Sequence, residues 1–449
     1  MILLKEIDAE VLDKIINNTI TLFNEKENIT IEFVDLSEYI LKIANTISLN
    51  GGRLYLVGGA VRDEIMKKDK HDEDYCVTGI ELADFVDMFG DARVRGAEFP
   101  VFIIEGCEVA LARSEEKVAQ GYKGFKINTS KEITIEQDLK RRDITINSIA
   151  KDVLTGEIID PFNGISDIEN KIIRATSEAF KDDPLRAYRA ARFACKLGFK
   201  IEENTLGLME ELKDELSTLS AERVFDELRK ALSYDNPSIF FRALREANIL
   251  DVHFSEIYKL IGALQPEKYH PEGDAFNHTM LALDKCSKLT SDVKIRFAAL
   301  VHDLGKGVTP KEEYPHHINH DINGIQEVIN FARRLKMPND WCDYGKVAAK
   351  EHMRAGIFDR MTPNKQVDFI ENISKTKIGL RGMEIVVESD RNCRGDLDSR
   401  LKFAEIGEKL IKEVNGELIK NTLGIAEGIK LKEKLHEQRV IKLKEWKLK

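Results

Sequence analysis

Two groups of side chains have types and spacings that suit chemistry at phosphates. The first is Asp72-Glu73-Asp74, which leads into the apolar run Tyr75-Cys76-Val77. On an extended segment residues i and i+2 face the same way, so Asp72 and Asp74 project side by side while Glu73 points away. Two aligned carboxylates suit two divalent ions about 3.5–4 Å apart, which activate a hydroxyl and stabilise a leaving group. Upstream stands Leu54-Tyr55-Leu56-Val57-Gly58-Gly59, with Arg62 about one helical turn further on. Glycines at a strand-to-helix turn let backbone N–H groups approach a triphosphate closely. Arg62 adds a guanidinium able to fork onto the same phosphates.

The second group is rich in histidine. Seven of the ten histidines (270, 278, 302, 316, 317, 320 and 352) fall between residues 270 and 352. His302-Asp303 comes late in the apolar helix of ALVHDLGKG, which Gly305 ends. His278 lies one helix earlier in FNHTMLALD, His320 opens another helix, and His352 sits in AAKEHM. Neutral imidazoles with a carboxylate suit a divalent transition metal such as Ni²⁺, Co²⁺, Mn²⁺ or Zn²⁺. Such an ion activates water against a phosphoester. His316 and His317 read as loop residues, not ligands.

These groups require two different scaffolds, and the chain has material for both. Its 449 residues suggest two to four domains. Hydrophobic residues make up 43% and charged residues 33%, which excludes collagen-like, low-complexity and largely disordered chains. No apolar run is long enough for a membrane span, and the start, MILLKEIDAEVLDK, lacks a signal peptide's basic head. Six widely spaced cysteines with no C-x-x-C read as reduced thiols in the cytoplasm. The net charge of −10 argues against a surface that binds nucleic acid everywhere. Basic residues gather instead at 140–200 (12 Lys/Arg against 9 Asp/Glu) and at 430–449 (8 against 3).

Residues 1–50 carry helical apolar spacing (Leu12, Ile15, Ile16; Ile40, Ile43, Ala44), stopped by Asn50-Gly51-Gly52. From 53 to about 160 short apolar runs predict strands: RLYLVGG, EDYCVTG, FPVFIIEG, CEVALAR, INSIAKDV and GEIIDPF. From about 165 onward the pattern is almost wholly helical, with breaks at Gly198, Ser233–Pro237 and 265–273. The fold class is α+β.

VGGAVRD followed by DED resembles the head of the class II tRNA nucleotidyltransferases and bacterial poly(A) polymerases, in the polymerase-β-like superfamily. The resemblance continues through EVALARSEEK, GYKGF, DLKRRDITINSIA and IIDPFNG to DDPLRAYRAARFACKLGF. It implies Mg²⁺ at Asp72 and Asp74 and a nucleoside triphosphate at Gly58, Gly59, Arg62 and Arg142. Glu108, in CEVALAR, matches a carboxylate that either assists the metal site or deprotonates the attacking hydroxyl.

DDPLRAYRAARF has two readings. Local physics makes Asp183 the cap of a helix whose first residue is Pro184, with Asp182 and Asp183 pairing to Arg186 within a turn. The resemblance makes Asp183 and Arg186 a protein template for the base. A carboxylate accepts from the exocyclic amine of cytosine or adenine, and a guanidinium donates to the adjacent ring nitrogen. Uracil and guanine would leave buried groups unpaired. Arg189 and Arg192 follow on much the same face, where phosphates are held. The family motif usually begins with Glu where this chain has Asp182.

Poly(A) polymerases typically carry an Arg-Arg-Phe element where this chain reads RVRGAEFPVFIIEG, and a very basic C-terminal region, whereas this chain's pI is 5.7. Both features favour addition and repair of the CCA end of tRNA without a nucleic-acid template; the alternatives are a poly(A) polymerase or a CC-only or A-only enzyme. The linker at about 115–129 suits the switch needed for the final A.

The histidine group resembles an HD phosphohydrolase domain. Set behind such a head, with HPEGDAFNHTML and KIRFAALVHDLGKG around it, it is similar to the multifunctional CCA proteins of bacteria. The resemblance implies a divalent transition metal such as Ni²⁺ at His278, His302, Asp303, His320 and His352. It also implies hydrolysis of 2′,3′-cyclic phosphates, 2′-nucleotides and other phosphomonoesters. The family's last ligand, an Asp, falls on Asn392 in ESDRNCRGD; either Asp390 substitutes for it or the coordination is weaker.

The expected architecture is a polymerase-β-like nucleotidyltransferase head with a small mixed sheet, followed by an all-helical neck and body and a helical HD domain. Its divisions are 1–50 (helical packing or dimerisation segment), 51–175 (head), 176–270 (neck), 271–395 (HD domain) and 396–449 (basic tail). The last helix, with net charge +5 over GIKLKEKLHEQRVIKLKEWKLK, is a candidate contact for tRNA phosphates. Expected partners are tRNA, ATP and CTP, with no membrane and a homodimer as one assembly.

Overall fold

The computed structural model describes residues 36–68, 73–90, 92–95, 100–104, 106–117, 125–268, 270–391, 402–423 and 428–448, and a strand pair at 19–24 and 27–32. The chain divides into two compact units, Met1–Asp182 and Asp183–Lys449.

The first unit begins with β1 (Thr19–Asn24) and β2 (Glu27–Glu32), an antiparallel hairpin that pairs Ile20 with Ile31 and Leu22 with Ile29. This corrects the helical reading of residues 1–50. TITLF and NITIE alternate apolar and polar residues with a period of two, which is a strand pattern. Leu12, Ile15 and Ile16 lie outside the described residues. The helix α1 (Leu36–Leu49) does form as expected, burying Ile40, Ile43, Ala44 and Ile47, and it ends before Gly51.

The main sheet has seven strands: β3 (Arg53–Val57), β4 (Asp74–Thr78), β5 (Arg93–Arg95), β6 (Val101–Ile104), β7 (Cys107–Leu111), β10 (Ala150–Asp152) and β11 (Ile158–Ile159). Their order is β11-β10-β3-β4-β7-β6-β5, and only β4 and β7 run parallel. Two further strands, β8 (Ser114–Lys117) and β9 (Phe125–Asn128), form a separate hairpin across the segment read as a linker. β3 does not alternate: Leu54 to Val57 are all buried, so both faces of the sheet are covered there. On one face Tyr55, Val57, Cys76 and Ala150 pack with Ile135 and Leu139. The latter two belong to α4 (Ile135–Lys140), which starts with a capping box between Thr134 and Gln137. The remaining head helices are α2 (Gly59–Ile65), α3 (Leu82–Met88) and α5 (Gly164–Asn170).

The second unit is helical. Its helices before residue 265 include α6 (Leu185–Leu197) and α7 (Ala221–Leu232). After the turns around residue 265 come α8 (Ala275–Leu289), α9 (Val293–Val301), α10 (His320–Arg334), α11 (Asn339–Gly356), α12 (Pro363–Ile373) and α13 (Gly379–Arg391). α9 is buried on every side from Ile295 to Val301, the mark of a central helix. Even its Arg296 is buried. The guanidinium is spent on four backbone carbonyls, those of Leu232, Tyr234, Ser287 and Thr290.

Residues 402–448 are not a separate tail. Phe403 and Leu410 of α14 (Phe403–Glu413) and Val440 and Leu443 of α15 (Ile429–Leu448) share one core with Phe369 and Val387. Part of the basic charge of α15 is used internally, since Arg439 donates to Glu371 Oε1 at 2.8 Å.

Candidate functional site

In the first unit the glycine turn sets the geometry. β3 delivers Gly58 at φ +73°, and a Cβ there would lie 3.0 Å from Arg142 Nη1. The positive φ calls for glycine, and Arg142 lies against the turn. Arg62 is buried. It donates to Asn147 Oδ1 and, at 2.8 Å, to Asp63 Oδ1, so it braces the turn from inside.

Asp74 opens β4, and its register partners are Val57 on one side and Glu108 on the other. Residues abreast on neighbouring strands share a face. Asp74 and Glu108 therefore stand side by side at the end of the sheet where Val57 runs into Gly58. Both are exposed, and Glu108 accepts from Arg95 Nη1 at 3.2 Å. Glu73 takes the other side, where its carboxylate accepts from Tyr75 Oη at 2.6 Å. Asp72 lies outside the described residues.

A buried carboxylate that sequence reasoning missed fixes the arginines. Asp138, 1% exposed, accepts from Arg141 Nη2 at 2.6 Å and from Arg142 Nη2 at 3.1 Å. Burial opposes its charge, but Arg141 and Arg142 outweigh that and hold its carboxyl below the ordinary range.

In the second unit the helix after Asp183 starts at Leu185, one residue later than expected, and Asp183 Oδ1 accepts from Leu185 N at 3.0 Å. Its Oδ2 accepts from Arg223 Nη2 on α7 at 2.8 Å, a partner 40 residues away that local pairing rules do not reveal. Arg189 is half-buried beside the Phe193 ring. Arg192 corrects the expectation of a shared phosphate-facing side. It turns inward, pairs with Glu227, donates to Tyr234 Oη at 3.2 Å and stacks on Phe193.

The histidine group converges fully. Gly305 makes this possible: a Cβ there would lie 1.9 Å from the His320 carbonyl oxygen, so only glycine lets the turn after His302-Asp303 press against the start of α10. Each imidazole has its Nδ1 engaged. His302 donates to Ala299 O at 2.7 Å, His320 to His317 O at 2.8 Å and His352 to Ala349 O at 2.8 Å. His278 donates to Glu272 Oε1 at 2.7 Å. The Nε2 atoms of His302, His320 and His352 are thereby turned toward Asp303 as acceptors, and that of His278 faces the same carboxylate. Oδ2 of Asp303 lies 3.3 Å from His302 and 3.7 Å from His278; Oδ1 lies 3.5 Å from His320 and 3.4 Å from His352. Two acceptor nitrogens, those of His320 and His352, face each other at 3.2 Å. His302 Nε2 and Asp303 Oδ1 are buried without a hydrogen-bond partner.

Asp390, in the last turn of α13, completes the group with Oδ1 2.9 Å from His278 Nε2. Of the two alternatives for the family's last ligand, this contact favours substitution by Asp390, which helical phase brings to the cluster; Asn392 lies outside the described residues. Burial disfavours a charged His278, yet Asp390 and Glu272 raise its pKa to about 9. Glu272 goes the other way, held at about 2 against burial by its bonds from His278, its own backbone and His270. Lys306, at 2.6 Å from Asp303 Oδ2, helps hold that carboxyl far down. Asp303, Lys306, His320, His352 and Asp390 line a cavity of about 300 Å³. His317 is a loop residue, as expected, and donates to Leu264 O at 2.8 Å.

Comparison with known proteins adds the following. Residues 54–174 match the family described as poly A polymerase head domain, 198–260 the probable RNA and SrmB-binding site of polymerase A, and 275–389 the HD domain. A relative from Pseudoalteromonas atlantica named multifunctional CCA protein is 41% identical over 360 residues, covering 79% of this chain and 87% of the relative. Among solved structures, the Thermotoga maritima CCA-adding enzyme complexed with tRNA superposes with TM-score 0.61 at 20% identity, covering 91% of this chain and 94% of its own. The Bacillus stearothermophilus CCA-adding enzyme in complex with CTP gives TM-score 0.56 at 22% identity over 90% and 92%. These two likenesses concern the fold.

Proposed function

Because this chain belongs to the family of multifunctional CCA proteins, we propose that it adds and repairs the 3′-terminal CCA of tRNA from CTP and ATP without a nucleic-acid template. Its HD domain is a separate phosphoesterase. The observation that carries the first activity is the register of Asp74 with Glu108, beside the Gly58 turn, whose positive φ favours glycine and against which Arg142 lies.

Hard oxygen donors aligned on adjacent strands fit Mg²⁺, with Asp74 and Asp72 as the holders. When bound, Mg²⁺ makes the tRNA 3′-hydroxyl a better nucleophile and stabilises charge on departing pyrophosphate. The protein's own groups do the rest. The Gly58 N–H is donated to Ile149 O at 3.2 Å, so the Gly59 backbone N–H and the Arg142 guanidinium hold the triphosphate, Arg62 keeps the turn rigid, and Glu108 stands where it can accept the hydroxyl proton. Asp183 and Arg186 choose the base. Asp183 retains acceptor capacity for an exocyclic amine beyond its bonds from Leu185 and Arg223.

In the HD domain, His302 Nε2 and Asp303 Oδ1 are buried without a hydrogen-bond partner and His278 Nε2 faces two carboxylates, which is the environment a metal site requires. The donors divide into two sets sharing Asp303: His278, His302 and Asp390 toward one carboxylate oxygen, His320 and His352 toward the other. Imidazole-rich sets of this kind suit transition metals such as Ni²⁺, which supply a hydroxide for attack on phosphoesters. Lys306 faces the same cavity and offers a cation to phosphate. The substrates we assign are 2′,3′-cyclic phosphates, 2′-nucleotides and phosphomonoesters. The five described cysteines are free thiols, which suits the reducing cytoplasm. No helix among the described residues is long and apolar enough to cross a membrane.

The test is stepwise extension of tRNAs ending before C, CC and CCA. A tRNA lacking all three residues should gain two C and one A, one ending in the first C should gain one C and one A, one ending in CC should gain a single A, and one ending in CCA should gain nothing; unlimited A addition from ATP alone would identify a poly(A) polymerase instead.

A further inference from the structure

The four imidazoles of the HD centre are not backed alike. His302, His320 and His352 each donate Nδ1–H to a backbone carbonyl of their own helical turn or the one before it. His278 instead meets a carboxylate, Glu272 Oε1, at 2.7 Å. The local chain is shaped for this contact. Gly273, at φ +96°, turns the backbone between Glu272 and Asp274. Asp274 caps α8 through Asn277 N at 2.9 Å and ties the cap to Gly262 N at 2.8 Å. That turn folds Glu272 back over the first turn of α8, where His278 sits. His270 approaches the same Oε1 with Nδ1 at 3.0 Å, its ring set edge-on to His278 with centroids 4.7 Å apart, so Glu272 is held from two sides in a buried position.

From this arrangement, and resting on the metal-site reading above, we propose that Glu272 is the positioning residue of the HD centre. Its carboxylate holds His278 in the Nδ1–H form and makes Nε2 the strongest nitrogen donor of the set. A neutral backbone carbonyl fixes a ring; a full negative charge also raises the basicity of the opposite nitrogen. His278 is the imidazole that most needs this. Its Nε2 faces Asp390 at 2.9 Å and Asp303 at 3.7 Å, so without a bound proton or ion it confronts two carboxylates. A carboxylate behind the ring, accepting Nδ1–H, selects the tautomer that offers a lone pair to an ion in that place.

The experiment is metal titration of the full-length chain, wild type, Glu272→Gln and Glu272→Ala, with Co²⁺ as probe. It reads bound metal per chain, affinity and the visible absorption of the bound ion, with far-UV circular dichroism and melting temperature as the check on folding. Glu272→Ala should weaken Co²⁺ binding by about 10–100-fold and alter the visible band. Glu272→Gln, which keeps an oxygen for Nδ1–H but not the charge, should fall between the two. Equal affinity and identical spectra in folded wild type and both variants would overturn the role of Glu272 while leaving the metal site intact. A wild-type chain that takes up no metal would overturn both; if the alanine variant fails to fold, the glutamine variant decides.

Discussion

The two reaction centres solve the problem of holding cations in opposite ways. In the head, Asp74 and Glu108 are exposed at the end of a sheet, and what is buried is the support: Arg62 under the glycine turn and Asp138 behind the arginines. In the HD domain the ligands themselves are buried, with His278 and Asp303 at 0% and 1% exposure, and each imidazole is held by a second contact. The contrast follows from the substrates. A nucleoside triphosphate supplies phosphate oxygens of its own, so the head needs only a few carboxylates on a rigid frame. A hydrolytic centre must keep its ion between turnovers, so the protein supplies nearly the whole coordination set and shields it.

If that contrast is right, the two centres fail separately. Asp303→Ala removes the carboxylate common to both ligand sets and should abolish metal uptake and phosphoester hydrolysis, while C and A addition stays unchanged; parallel assays of one preparation check this. Gly305→Ala should do nearly the same from outside the ligand set. Its methyl would sit 1.9 Å from the His320 carbonyl oxygen, so the centre must open, at a cost of about 1–3 kcal/mol or more, measured by denaturant unfolding with and without metal.

The pH response should divide the centres as well. The folded pKa of His278, about 9 in the metal-free chain, lies above its ordinary 6.5. Its pairing with Asp390 and Glu272 therefore contributes stability that is fully present below 6.5 and is lost as pH rises through about 9. A metal must displace that proton, so affinity in the HD domain should weaken by up to about tenfold for each pH unit below about 9. Isothermal titration at several pH values checks it, and Mg²⁺-dependent addition, which involves no imidazole ligand, should lack this response. The smallest effect sharpens the head's side of the comparison. Asp138→Asn leaves Arg142 less firmly placed, so KM for CTP and ATP should rise about tenfold, roughly 1.4 kcal/mol, with kcat nearly unchanged.

How much of this could be read from the sequence depended on the range of the interactions. Strand-and-glycine text such as RLYLVGG and the HD dipeptide are local signals, and the elements they predict are present. The hairpin at 19–32 was also local, but its period of two was overlooked beside the apolar spacing on either side. The partners that decide geometry were distant or buried. Asp183 meets Arg223 across 40 residues, and Arg192 meets Glu227 across 35. Asp390 approaches His278 because helical phase, not spacing in the text, determines which side chain faces the cluster. Asp138 and Glu272 looked like ordinary acidic residues, and only the burial of the first against two arginines and the contact of the second with His278 expose their work.

The account depends most on the head. Its direct test is single-nucleotide extension of a tRNA lacking its last three residues, by wild type and by Asp74→Ala, each with CTP and ATP in Mg²⁺. Wild type should add C, C and A and then stop, while folded Asp74→Ala adds nothing; extension by the variant at the wild-type rate would contradict the account.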